Sequence, residues 1–124
     1  MTSVMTKIDF TDLTKYRIII QAATRAVLNV TVTRGGVAQN LTGATIKFYA
    51  GLSTPITKIV GSGIVLTNPL LGQFSLTIME TDTSAQNTDQ NVDCECKITL
   101  AGGGPELLFE GRLQVEKTLI LTTT

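Results

Sequence analysis

Short segments in which apolar and polar residues alternate constrain the fold of this 124-residue chain more than any other feature. Residues 92–100 alternate without exception, with apolar side chains at the even positions and polar side chains at the odd positions. Because successive side chains of a strand point to opposite faces, this pattern predicts a half-buried β-strand. The same period of two recurs over residues 24–34, 44–50 and 73–79, which we predict as further strands.

Turn-forming residues separate these segments. Pro55 and the cluster Gly61-Ser62-Gly63 bracket residues 56–60, which we predict as an edge strand with Lys58 pointing to solvent. No segment keeps an amphipathic helical period for three turns. The count of about seven short strands with turn signals between them predicts an all-β sandwich, with an OB-type barrel as the alternative fold.

The last two predicted strands form a hairpin. The run Ala-Gly-Gly-Gly-Pro at residues 101–105 is a turn signal between residues 92–100 and a returning strand. The inward face of the returning strand is predicted to carry the following residues: Leu107, Phe109, Gly111, Leu113 and Val115.

The two ends of the chain differ from its middle, and we divide the sequence accordingly. Residues 1–16 are an N-terminal arm or a first strand, residues 17–117 are the sandwich, and residues 118–124 are a C-terminal tail. Both arms carry apolar side chains. The arms could be frayed ends or extensions of the chain's own sheet, or they could each add a strand to the sheet of a neighbouring subunit. Under the second alternative, the contact residues are those of the arms and of the edge strand: Ile8, Phe10, Leu13, Ile56, Lys58, Leu119, Ile120 and Leu121.

Charge and hydropathy exclude two classes of partner. Lysine plus arginine and aspartate plus glutamate number 10 each, so no net field attracts nucleic acid. The apolar runs are far shorter than the roughly 20 residues that span a bilayer, so we expect no membrane partner. Near-zero net charge favours association, and we expect a homo-oligomer.

Catalytic chemistry has few candidates. The chain has no histidine, which removes the usual general base, the Ser-His-Asp and Cys-His systems and the commonest zinc ligand. Cys94 and Cys96 share the apolar face of their strand, so we predict core thiols rather than a metal or redox pair. Residues 89–93 match the start of a calcium loop, but the turn glycine and the twelfth-position glutamate are absent.

Two weaker motifs also have plain structural interpretations. The glycines of residues 61–63 lack the third glycine and the helix of a dinucleotide site, so we predict a tight turn. Glu80, Asp82, Glu106 and Glu110 could be imagined as the carboxylate pair of a minimal glycosidase, but they lie on predicted loops or outward faces. We therefore expect no enzyme activity, no cofactor and no metal site.

The order of turn and core residues resembles a known family. Three stretches carry the resemblance: residues 40–50 (NLTGATIKFYA), residues 61–86 (GSGIVLTNPLLGQFSLTIMETDTSAQ) and residues 94–117 (CECKITLAGGGPELLFEGRLQVEK). They look like the immunoglobulin-like domain at the N-terminus of phage baseplate upper proteins and related virion modules. The matching elements are Leu41–Thr45, Gly63-Ile64, Asn68 with Gly72, Asp82-Thr83, and Gly111-Leu113-Val115.

The resemblance implies an immunoglobulin-like antiparallel β-sandwich and a structural role in a phage virion, as a baseplate, tail or neck component. It also implies that the partners are other virion structural proteins and that the protein, made in the host cytoplasm, resides in the virion. An aromatic residue expected in the strand after the Asp-Thr loop is replaced here by Cys94 or Cys96. The alternatives are a host-surface carbohydrate-binding or adhesin module and a head decoration protein.

Overall fold

The computed structural model describes the backbone of residues 2–9, 16–83 and 89–116, and the side chains of residues 17–83 and 89–116. Ten strands, one short α-helix and one 3-10 helix make up this part of the chain. In chain order they are β1 (Thr2–Asp9), β2 (Tyr16–Gln21), β3 (Ala26–Arg34), β4 (Val37–Ala38), β5 (Thr45–Ala50), β6 (Ile56–Val60), β7 (Gly63–Asn68), the 3-10 helix (Pro69–Leu71), β8 (Gln73–Ile78), α1 (Glu80–Thr83), β9 (Gln90–Thr99) and β10 (Pro105–Glu116). The all-β prediction is confirmed.

The strands form one hydrogen-bonded sheet in the order β1-β3-β8-β7-β6-β5-β9-β10-β2, and β4 pairs with β3. The sheet is mixed, because β1 runs parallel to β3, β2 runs parallel to β10, and β6 is joined to β7 by a short parallel pairing. Two details of the prediction are thus wrong, the wholly antiparallel pairing and the count of about seven strands. The additional strands are β1 and β2, at opposite edges of the sheet, and the short β4, and the parallel pairings involve β1, β2 and β6.

The core lies on the face of the sheet that the alternating apolar residues predict. Burial alternates along β5 and β8 and along residues 93–99 of β9, so that every second side chain there is buried. Phe48 and Phe74 are the largest side chains that are fully buried, and the rings of Phe48 and Phe109 lie 6.3 Å apart between centroids. Buried residues from β2, β3 and β5–β10 form one cluster, so the curled sheet encloses a single hydrophobic core.

A tight corner connects the two halves of the sheet. Gly61 and Gly63 have φ angles of +93° and +94°, a conformation that glycine adopts without steric cost. Ile59 and Ser62 exchange backbone hydrogen bonds of 3.0 and 2.9 Å, and the Gly61 N–H donates to the Ile64 carbonyl oxygen at 3.0 Å. The tight turn predicted at residues 61–63 is therefore confirmed.

The prediction that β6 is an edge strand is wrong. The strand lies between β5 and β7 in the sheet, and Ile56 is only 3% exposed. Lys58 is also largely covered, because its stem lies against Gly63, where an added Cβ would stand 3.1 Å from Lys58 Cγ. Proline and glycine flank β6 because the chain turns sharply on both sides of it, rather than because the strand is at an edge.

A half-buried ion pair fixes this corner to α1. Lys58 Nζ lies 2.8 Å from Asp82 Oδ2, and the two side chains are 13% and 22% exposed. The same carboxylate oxygen accepts a hydrogen bond of 2.7 Å from the Met79 N–H. Asp82 therefore joins the end of β8 to β6.

We expect Asp82→Asn to lower the free energy of unfolding by about 1 kcal/mol, because the amide oxygen still accepts from Met79 but the charge is lost. Asp82→Ala should cost about 2–3 kcal/mol, because both partners then lose their acceptor. Urea unfolding measures both values. The control is Glu106→Gln at the pair with Arg34, whose side chains are 40% and 45% exposed, and which should change stability by less than about 0.5 kcal/mol. Equal losses for the two Asp82 variants would contradict this account.

The hairpin of β9 and β10 contains a β-bulge. The register shifts between Leu107 and Phe109, so that Leu107 pairs with Lys97 and Phe109 pairs with Cys96. Leu108 and Phe109 are both buried, whereas Leu107 is half-buried on the outward side. The prediction that Leu107 points inward is therefore wrong, since the extra residue of the bulge reverses the direction of its side chain.

Candidate interaction surface

The outward surface of β5, β9, β10 and β2 is densely charged, and we call it the charged face. Side chains on these strands alternate between the buried core and this surface. The charged face comprises Arg17, Lys47, Tyr49, Asp93, Glu95, Lys97, Glu110 and Arg112. All of these residues are exposed except Glu95, which is partly buried.

Like charges lie directly opposite one another in two adjacent rows of the charged face. Lys47 pairs with Lys97 across β5 and β9, and this pair forms the lysine row. Glu95 pairs with Glu110 across β9 and β10 and forms the glutamate row, which Tyr49 extends on β5. The two rows lie two residues apart along β9, which is about 7 Å.

A third row combines both signs of charge. Arg112 lies opposite Arg17 on one side and opposite Asp93 on the other. Arg112 Nη1 contacts Asp93 Oδ1 at 2.6 Å, and the two side chains are 52% and 89% exposed. Exposed pairs of this kind contribute little to stability, so the third row determines the charge of the surface more than the stability of the fold.

An open groove of about 920 Å³ crosses the charged face. Its lining brings together two arginines, three carboxylates, one aromatic ring and three small residues: Arg17, Arg112, Asp93, Glu95, Glu110, Tyr49, Gly51, Cys94 and Gly111. Tyr49 is 41% exposed, and Ile59, which pairs with Lys47 from β6, is 47% exposed. Aromatic residues and arginine are enriched at protein interfaces, and Tyr49, Arg17 and Arg112 are the side chains of this face that fit that composition.

The contact residues predicted from the sequence have different positions. Ile56 is buried and Lys58 is bound to Asp82, so these two side chains are held within the fold. Ile8 lies on β1 opposite Val32, at one edge of the sheet. The remaining predicted contact residues, Phe10, Leu13, Leu119, Ile120 and Leu121, lie outside the described residues.

The two thiols are buried in the core, as the sequence predicts. Cys94 is 4% exposed and Cys96 is fully buried, and both are free. Burial, with a smaller contribution from the charge of the neighbouring Asp93, raises the pKa of Cys94 to about 11. Burial also raises the pKa of Cys96, to which Cys94 and Glu95 add. Because the thiolate is the reactive form, both groups are poor nucleophiles and metal ligands.

These raised pKa values predict a loss of stability in alkali. The neutral thiols favour the folded state, so their contribution is complete below the ordinary pKa of 9.0 and decreases as the pH rises towards about 11. We expect the free energy of unfolding to fall over this pH range. Urea titrations at a series of pH values measure the slope, and a Cys94→Ala/Cys96→Ala variant should show a smaller one. Identical slopes for the two proteins would contradict the assignment.

The carboxylates considered for hydrolysis are engaged elsewhere. Glu80 contacts Arg25 at 3.1 Å, Glu106 contacts Arg34 at 3.0 Å, and Asp82 is bound to Lys58. The residues of the calcium-like motif that the structure describes as strand belong to β9, where neighbouring side chains point to opposite faces. Within the described residues, no group of three or more potential ligands could hold a metal ion. Among the helices that the structure describes, none is long and apolar enough to cross a membrane.

Comparisons with known proteins bear on the fold of this chain. No family model matches the sequence, and no curated protein matches it. The fold is similar to that of the N-terminal domain of phage TP901-1 ORF48, with a TM-score of 0.62. The likeness covers 94% of this chain and 100% of that domain, at 13% sequence identity. At this level of identity, the likeness shows a shared fold alone.

Proposed function

We propose that this protein is a structural component of a phage particle, of the baseplate, tail or neck, and that it acts through protein–protein contacts rather than catalysis. The observation that carries the proposal is the similarity in fold to a domain of a phage protein over nearly the whole chain. The resemblance of residues 40–50, 61–86 and 94–117 to the N-terminal domain of baseplate upper proteins supports it independently.

The strand order supports an immunoglobulin-like arrangement. The sequence β3-β8-β7 corresponds to strands B, E and D of an immunoglobulin domain, and β10-β9-β5-β6 corresponds to G, F, C and C′. By this proposal the sheet folds over at the corner of residues 61–63, where only two residue pairs connect β6 to β7. The parallel pairing of β1 with β3 departs from the pattern of hairpins and Greek keys.

A non-enzymatic role is supported by the chemistry of the described side chains. The sequence has no histidine, and both thiols are buried with raised pKa values. Three of the four candidate carboxylates are held in ion pairs. The exposed ionic side chains of the charged face can form weak contacts with other subunits. Such a surface suits assembly, in which many weak contacts between repeated subunits act together.

The test is incorporation into particles. A copy with an epitope tag is expressed in cells that are producing phage, and the lysate is separated on a density gradient. We expect the tag to sediment with intact particles and to remain bound through high-salt washing. Immunogold electron microscopy should then place the label at one position on the particle, which distinguishes a baseplate or tail component from a head decoration protein.

The control is the same tag on a cytoplasmic protein of similar mass. If the tagged protein stays with the soluble fraction while infectious particles sediment normally, the proposal fails. If that soluble protein also binds purified host cell wall, the carbohydrate-binding alternative replaces it.

A further inference from the structure

The outer edge of β2 has no neighbour among the strands that the structure describes, since β2 ends the sheet and pairs with β10 on its inner side. The Ala22 N–H donates to the Glu116 carbonyl oxygen at 2.9 Å, which directs the backbone groups of the even-numbered residues of β2 towards β10. Successive residues of a strand direct these groups to opposite edges. The N–H and C=O groups of Arg17, Ile19 and Gln21 therefore point outward, towards the position of a further strand.

The side chains along this edge leave it poorly protected. Residues 18–20 are three consecutive isoleucines, and Ile19 is 47% exposed. The strand contains neither proline nor lysine, and it pairs with β10 in an unbroken register without a bulge. Proline, lysine and bulges are among the means by which proteins prevent an exposed edge from pairing with another chain. The sequence of β2 thus favours the addition of a strand.

β2 is complementary to a second copy of itself. With a two-fold axis perpendicular to the sheet at Ile19, two antiparallel copies bring Ile19 opposite Ile19 and Arg17 opposite Gln21. The backbone groups of these residues point outward, so the opposed residues exchange hydrogen bonds. The Gln21 carbonyl oxygen already accepts from Thr24 Oγ1 at 2.7 Å, and it keeps a second lone pair for this contact. In this register the core side chains and the outer side chains each continue on their own face of the sheet.

The charges beside β2 complement one another across the same axis. Arg17 lies beside Arg112 on the charged face, and Gln21 lies beside Glu116 at the other end of the two strands. Gln114 Nε2 donates to Glu116 Oε1 at 3.4 Å, which places this carboxylate on the outer face. In the dimer, Arg17 of one copy stands two strand spacings, about 10 Å, from Glu116 of the second copy. The two extended side chains span this distance and form a charge-assisted hydrogen bond.

We propose that β2 is the contact between two copies of this chain, which pair antiparallel through this edge about a two-fold axis at Ile19 and form one continuous sheet. This inference deepens the proposed function, on which it rests, by naming one partner and its contact. Two-fold contacts, in which both copies use the same patch, are the commonest in soluble oligomers. The net charge of zero adds no overall repulsion between the copies.

Disulfide cross-linking tests the contact with the full-length chain. In the Ile19→Cys variant the two new thiols lie directly opposite each other across the axis, at about 5.5 Å between Cα atoms, which a disulfide bridges. The chain's own thiols, Cys94 and Cys96, are buried and do not compete. Under mild oxidation, this variant should form a covalent dimer at least about tenfold faster than Val65→Cys. Val65 is a matched control because it is 58% exposed on β7, away from the edge of β2.

Two further variants test the register. Arg17→Cys and Gln21→Cys, mixed in equal amounts, place their thiols opposite each other and should form mixed dimers. Either variant alone places its two thiols about 14 Å apart, beyond the roughly 7 Å between Cα atoms that a disulfide spans, and should cross-link as slowly as Val65→Cys. A gain of cross-linking at one position is not produced by misfolding. Equal rates for Ile19→Cys and Val65→Cys, or for the mixture and the single variants, would overturn the inference.

Sedimentation equilibrium measures the contact without a cross-link. The wild type should associate reversibly to a dimer below about 1 mM, as a contact of small area does. Ile19→Lys places like charges opposite each other at the axis and should raise the dissociation constant at least about tenfold. Val65→Lys should dimerise as the wild type does. A wild-type monomer up to about 1 mM, or equal dimerisation of the two lysine variants, would contradict the pairing of β2.

Failure of this inference and failure of the proposed function give different results. Incorporation of the tagged protein into particles without selective cross-linking at Ile19 would remove the β2 contact and leave the structural role. A β2 dimer that never sediments with particles would do the reverse.

Discussion

Replacing Gly72 by alanine is expected to destabilise the protein by about 2–5 kcal/mol, the sum of a left-handed backbone and an overpacked contact. Gly72 has a φ angle of +71° and ends the 3-10 helix. An added Cβ would collide with the Val32 carbonyl oxygen and would stand 2.9 Å from the Gln39 carbonyl oxygen. Both oxygens belong to the backbone, and Val32 itself donates an N–H to the Gly72 oxygen at 2.7 Å. Neither neighbour can rotate away as a side chain would.

The matched control is Gly102→Ala. Gly102 has nearly the same φ angle, +75°, but an added Cβ there meets nothing within 4 Å. This variant isolates the backbone cost, which we expect to be about 1 kcal/mol. Urea unfolding followed by circular dichroism measures both proteins. Similar small losses for the two variants would contradict the close contact of Gly72 with the backbone of Val32 and Gln39.

Replacing Phe48 by alanine is expected to cost about 3–5 kcal/mol, as large-to-small changes of buried aromatic residues do. Phe48 is completely buried on β5, and its ring lies 6.3 Å from that of Phe109. Its strand pairs on both sides, with β6 and with β9, so the surrounding backbone cannot collapse easily into the cavity. A marginally stable domain of this size could unfold at 37 °C after such a loss.

The control for Phe48 is Val65→Ala on β7. Val65 is 58% exposed, so its truncation should change the free energy of unfolding by less than about 0.5 kcal/mol. Thermal and urea unfolding of the two variants should therefore separate clearly. A loss below about 1 kcal/mol for Phe48→Ala would contradict the position of β5 in the middle of the core.

The strands that the sequence predicts best are those with one buried and one exposed face. β5, β8 and β9 alternate in the sequence and alternate in burial, because burial itself imposes the period of two. The bulge in β10 could not be predicted, since Leu107, Leu108 and Phe109 are all apolar and give no sign of which residue is the extra one. Local patterns specify the period of a strand but not an irregularity within a continuous apolar run.

Positions within the sheet were harder to predict than the strands themselves. β1 and β2 pair through their backbones at opposite edges, and such pairing does not require alternating side chains. β6 resembles an edge strand in sequence, yet it lies between β5 and β7. Neighbours in a sheet are determined by the path of the whole chain, which no local segment contains.

The charged face, too, depends partly on local alternation in the sequence and partly on pairing between distant strands. The alternation of residues 92–100 places Asp93, Glu95 and Lys97 on one outward face, and this much follows from the sequence. That Lys97 faces Lys47, and that Glu95 faces Glu110, depends on the register between strands far apart in the chain. The interaction residues predicted from the apolar arms therefore did not include this surface.

The copy number of the protein in purified phage particles tests the central claim most directly. Particles are washed at high salt, digested and analysed by quantitative mass spectrometry, with isotope-labelled peptides of this protein and of the major capsid protein as standards. A structural component should be present at a fixed number of several copies per particle, unchanged by further washing. Less than one copy per particle, declining with each wash, would contradict the account.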